Sequence, residues 1–136
     1  MDDLRHAYDE VYAYTMRRPG FILQHVVDAF AAQTARQESQ QIGIVFSLVG
    51  LYLRAEKKYS GQDVQKVHML MGRRTRQWPA IVLPADRGAI TATDVLAAPE
   101  GTDRDEAIDA WCQSVWAAFH ESRPAILALL REYGVG

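Results

Sequence analysis

Residues Thr102 to Glu121 constrain the fold most. Ile108, Trp111, Cys112, Val115, Trp116 and Phe119 recur at the three-and-four spacing of one helical face, while Asp105, Asp109, Gln113 and Glu121 fall mostly off it. Such a stripe specifies an amphipathic helix whose apolar side belongs to a core. Two indoles on one stripe bury a large area, so Trp111 and Trp116 are expected in that core, with a ligand cleft as their other use.

The rest of the chain reads as further helices. Asp2 to Arg17 carries an inner row of Leu4, Tyr8, Val11, Tyr12 and Thr15, and Pro19-Gly20 stops it. A second helix runs from about Phe21 to Arg36, with Ile22, Val26 and Phe30 facing inward, joined by Leu23 and Val27. The third, about Gln41 to Lys58, is apolar nearly all round up to Leu53, as a central helix should be. Its Val and Ile content also suits a strand, but its length and the charged continuation Arg54 to Lys58 favour a helix. Gly43, Ser47 and Gly50 are small enough to admit a neighbouring helix. Ser60 reads as an N-cap with Asp63 three residues on, opening a helix whose Val64, Val67, His68 and Met71 face inward.

Helical spacing fails between Gln77 and Ile90, where Trp78-Pro79 and Leu83-Pro84 force extended backbone. Ile81 to Leu83 either pairs as a short strand or lies along the bundle. Thr91 or Thr93 then caps a short helix, and Ser122 with Pro124 predicts a kink or restart before a last helix ending near Tyr133. The expectation is a single all-α domain over residues 1–136: a bundle of five to seven helices crossed by an irregular connection at 77–90.

A lone cysteine, Cys112, excludes an internal disulfide and reads as a small buried hydrophobe. The acidic start Asp2-Asp3 is unlike an export signal, and the run Ile42 to Leu53 falls short of the roughly 20 residues of a membrane span. These features predict a cytoplasmic protein without a membrane partner. The net charge of −2 hides an asymmetry: seven basic groups stand against Glu56 and Asp63 in residues 54–76, which leaves the remainder at −7. Arg73, Arg74 and Arg76 form a basic patch that could meet phosphates, although a helix C-terminus also favours cations. The acidic stretch 94–109 is expected to lie against it, within the chain or across a homodimer, so nucleic-acid binding is the disfavoured use.

One polar constellation offers chemistry. His25 and Asp28 are three apart and share a helical face, so Asp28 can accept a proton from His25, or both can reach one metal. His68 lies on the inner row of another helix, and three such groups could hold a divalent transition metal inside a bundle. The competing reading is a satisfied buried pair, with His25 bonded to Asp28 and His68 to a tyrosine or a carbonyl. His6 and His120 read as surface or capping groups. Ser114 lacks the Gly-x-Ser-x-Gly elbow of a nucleophile.

Three blocks, Phe21 to Gln33, Gly88 to Leu96 and Ala110 to Phe119, resemble the hallmark of a bacterial family of unknown function and keep its order. The matching positions are His25, Asp28, Gln33, Asp94, Trp111, Ser114 and Trp116. The resemblance implies a shared framework and no activity. Many members resembling that family carry a Cys-x-x-Cys-like segment near the N-terminus that this chain lacks, so no metal or redox role transfers from it. The sequence therefore supports a non-enzymatic binding or scaffold module that self-associates. The first alternative is a metal- or small-ligand-binding enzyme using His25, Asp28 and His68, with Trp111 or Trp116 shaping the pocket. The second is weak nucleic-acid binding through 54–76.

Overall fold

The computed structural model describes residues 2–73 and 77–135. Seven α-helices follow one another: α1 (Asp2–Thr15), α2 (Ile22–Gln33), α3 (Gln41–Lys57), α4 (Gly61–Gly72), α5 (Ala92–Ala97), α6 (Thr102–Ala118) and α7 (Arg123–Glu132). Single 3-10 turns at Pro19–Phe21 and His120–Ser122 lead into α2 and α7. The fold is all-α, with no strand among the described residues. Among those residues no helix is long and apolar enough to cross a membrane.

The start signals act as the sequence predicts. Ser60 Oγ accepts from the Asp63 backbone N–H at 3.2 Å. Thr91, rather than Thr93, opens α5, and Asp94 Oδ2 accepts from the Thr91 backbone N–H at 2.9 Å. The restart is the 3-10 turn before α7, where Pro124 occupies the first helical turn and its missing N–H costs nothing.

Helix α3 is central. Residues Ile44 to Leu53 are buried except Phe46, and α2, α4, α6 and α7 surround them. The stripe of α6 packs into this core, with Trp111, Cys112 and Val115 wholly inaccessible. On α1 the buried row is Ala7, Val11, Tyr14 and Thr15. Tyr8 and Tyr12 sit at its edge, half-buried, and the Tyr14 hydroxyl donates to Asp105 Oδ1 at 2.7 Å.

Helix α2 departs most from its expected orientation. Its buried side chains are His25, Val26, Asp28, Ala29 and Ala32, whereas Ile22, Leu23, Val27 and Phe30 are only partly covered. Both α3 and α6 press against α2. The side that admits them closely is the one with short side chains, so the alanines and the two polar residues go inside. Phe30 finds its cover at the rim, stacked on Tyr8 at 4.0 Å.

The connection 77–90 lies along the bundle and is held by side chains in place of strand partners. Gln33 Nε2 donates to the carbonyls of Ile90 (2.7 Å) and Arg87 (3.3 Å). The Arg87 guanidinium returns to the carbonyls of Ala32, Gln33 and Pro84. Ile81 N–H donates to Gln41 Oε1 at 3.1 Å. An extended segment without a ladder still needs partners for its backbone groups, and these residues supply them.

Candidate functional site

His25 and Asp28 both enter the interior, at 3% exposure each. Asp28 fits because of Gly50. A methyl group in place of the Gly50 hydrogen would overlap the Asp28 carboxyl, within 2.6 Å of Cγ. Of the small residues on α3, Gly50 alone provides this approach. Gly43 is exposed with open space around it, and Ser47 turns its hydroxyl onto the Ile44 carbonyl.

The carboxyl of Asp28 accepts one hydrogen bond, from Gln24 Nε2 at 3.0 Å to Oδ1, while Oδ2 has no partner. Burial raises its pKa well above the ordinary 3.8, and the Gln24 bond opposes this only in part. The raised pKa favours the protonated, uncharged carboxyl over the ion. His25 moves the other way. Burial first, and the nearby Arg54 cation second, lower its pKa to about 4 against the opposing pull of Asp109. The imidazole is neutral, and its Nδ1 is buried without a hydrogen-bond partner. The pair shares a helical face, as its spacing requires, but the two side chains do not bond each other. Each keeps one unpaired atom.

His25 lines a cavity of about 150 Å³ together with Ile22, Arg54, Thr102, Asp105, Glu106 and Asp109. Its carboxylates are mostly committed. Arg54 clamps Asp109 through two bonds, Nε to Oδ1 at 2.7 Å and Nη2 to Oδ2 at 2.8 Å, and its Nη1 donates to the Tyr59 carbonyl. Asp105 Oδ2 accepts from Arg18 at 2.6 and 3.2 Å, and Oδ1 from Tyr14. Glu106 is exposed and has no ion pair among the described residues.

His68 does not join this group. Its Nε2 bonds the Phe46 carbonyl at 2.8 Å, its ring stacks on Phe46, and burial lowers its pKa. Among the described residues no group of three His, Cys, Asp or Glu side chains could hold a metal ion. The metal set of His25, Asp28 and His68 is thus not assembled: the third imidazole is held by the Phe46 carbonyl and ring.

The indoles are core rather than cavity wall. Trp111 is fully buried and its Nε1 donates to Gln33 Oε1 at 3.0 Å. Trp116, 6% exposed, donates to Glu56 Oε2 at 2.7 Å, and Arg123 grips the same carboxylate and holds its pKa down to about 2. Neither indole lines the His25 cavity. Cys112 is buried, its Sγ 3.6 Å from the His25 carbonyl, and burial pushes its thiol pKa far up. His6 is exposed beside Glu10, and His120 caps the Ala117 carbonyl.

Two carboxylates of the acidic stretch pair with arginines. Asp105 takes Arg18 and Asp109 takes Arg54. Arg73 is exposed at the end of α4, and Arg74 and Arg76 lie outside the described residues. Sequence reasoning missed Arg54, Asp105, Asp109 and Gly50 as site residues. Arg54 and Asp109 were visible only as members of opposite charge runs, and the glycine only as a small residue.

Seen together, most positions that carried the family resemblance are structural ties: Gln33 to Trp111, Asp94 at the α5 cap, and Ser114 against Gly88, whose φ of +97° and 2.6 Å clearance to Ser114 Oγ leave no room for a side chain. Asp28 is tied to Gln24 and seated against Gly50, and only the His25 side chain remains without such a tie. No curated protein and no solved structure matches the chain. A family model does, over residues 5–120. The chain belongs to that family, described as a family of unknown function (DUF5946).

Proposed function

We propose that the protein is a non-enzymatic binding module that takes a small polar ligand in the cavity between α2, α3 and α6. The observation that carries this reading is His25: a neutral imidazole at 3% exposure that lines a cavity and makes no side-chain hydrogen bond among the described residues. Buried polar atoms normally find partners, and an orphan at a concave site invites one from outside. The volume is in the range that accommodates about six heavy atoms, a benzene-sized body.

Binding rather than catalysis is favoured by the neighbours. The oxygens of Asp105 and Asp109 are already occupied by Tyr14, Arg18 and Arg54. Neither is free to orient His25 as a general base, and Asp28 is shut behind α3. The test is an NMR titration of the ¹⁵N-labelled chain with three probes of one length: n-butylammonium, butyrate and 1-butanol. Saturable shifts of the Ile22, His25, Thr102 and Asp109 amides by any of them support the proposal. Absence of saturable shifts from all three, up to solubility, overturns it.

A further inference from the structure

Granting that reading of the cavity, we infer that its ligand is a small organic cation: a primary ammonium on a short apolar body, with Glu106 as the recognising charge and His25 as the acceptor of one of its N–H bonds.

Asp105, Glu106 and Asp109 contribute three negative charges to the wall. Arg54 neutralises Asp109 face to face, and Arg18 does the same for Asp105. Glu106 alone keeps a free carboxylate at the mouth. An anion entering the cavity would meet this carboxylate with no uncommitted guanidinium to offset it. Arg54 has Nε and Nη2 on Asp109 and Nη1 on the Tyr59 carbonyl. The positive end of the α6 dipole lies near Thr102, but its first turn already holds Asp103 and Asp105 against it.

The second strand is independent of the acidic rim. A neutral imidazole has one unprotonated ring nitrogen, which accepts hydrogen bonds. A primary ammonium has three donors and no acceptor. It can give one to the imidazole and another to the Glu106 carboxylate. Ile22 supplies the apolar wall for the carbon chain. The cavity thus offers acceptors, one surplus negative charge and an aliphatic face. A metal ion would need more ligands than the described residues bring together.

The three-probe titration separates this inference from the cavity reading. We expect n-butylammonium to give the saturable shifts, and its affinity to fall about three- to fivefold in Glu106→Gln, the scale of one exposed ion pair, and to weaken with added salt. Glu106 is exposed, so this variant keeps the fold, and an unchanged ¹⁵N spectrum away from α6 verifies that. Butanol, if it binds, should be indifferent to the substitution. Equal or tighter binding of butyrate or butanol at the same residues would overturn the cationic class and leave the cavity as a ligand site. Ammonium binding that ignores Glu106→Gln would overturn the role of that carboxylate. No response to any probe would remove both proposals.

Discussion

Asp28→Asn tests the buried acid directly. In the native protein burial against Gly50 raises the pKa of the carboxyl and so favours its neutral form. In the unfolded chain it ionises with the ordinary value of 3.8. Folding therefore takes up one proton at any pH between that value and the raised native one. A native pKa above the unfolded one means that the group's stabilisation is complete at low pH and is lost as pH rises. The slope is about 1.4 kcal/mol per pH unit for one proton. Asparagine has nearly the same shape, keeps an oxygen for Gln24 and has no proton to take up. The difference in stability between variant and wild type should thus grow in favour of the variant as pH rises above 3.8, at up to about 1.4 kcal/mol per pH unit until the native carboxyl itself ionises. Urea denaturation at three pH values reads it. With an m-value of about 2 kcal/mol/M, each kcal/mol of that difference widens the gap between midpoints by about 0.5 M. His25 contributes the opposite trend, since its lowered pKa makes stability fall as pH drops from about 6.5 toward 4. That trend is common to both proteins and cancels in the difference. Parallel stability curves for the two proteins would refute the neutral-acid assignment.

Two further outcomes follow from the same packing. Gly50→Ala should destabilise the fold by about 1–3 kcal/mol through overpacking on the Asp28 carboxyl, and combining it with Asp28→Ala should recover much of that loss; a double-mutant cycle with additive energies would mean that the two residues do not meet. Trp111→Phe should cost about 1–3 kcal/mol by leaving Gln33 Oε1 unpaired, and limited proteolysis should show earlier cleavage in residues 77–90, because Gln33 also holds that connection.

The bundle was legible because helix signals are local. The α6 stripe, the Ser60 and Thr91 starts and the Pro124 restart each depend on residues within a turn or two. The site was less legible. Periodicity marked Ile22, Val26 and Phe30, joined by Leu23 and Val27, as the inner face of α2; the fold buries Val26 but gives the other deep positions to His25, Asp28, Ala29 and Ala32. What decides this is how closely α3 and α6 can approach, a quantity set by Gly50 on another helix. The spacing of His25 and Asp28 placed them on one face correctly. It could not show that they stay unbonded to each other, or that Phe46 takes His68 away. Likewise the separation of charge was visible, but the pairing of Arg54 with Asp109 spans 55 residues and joins two runs only in the folded chain.

A neutral, buried His25 at the cavity wall is the core of the proposed site. Following the side-chain nitrogens of a ¹⁵N-histidine-labelled sample through a pH titration tests it most directly, with His25→Gln assigning the signal. The imidazole of His25 should remain uncharged from pH 8 down to about 5 and titrate with a midpoint of about 4. A midpoint near the ordinary 6.5 would place the ring in solvent and contradict the site.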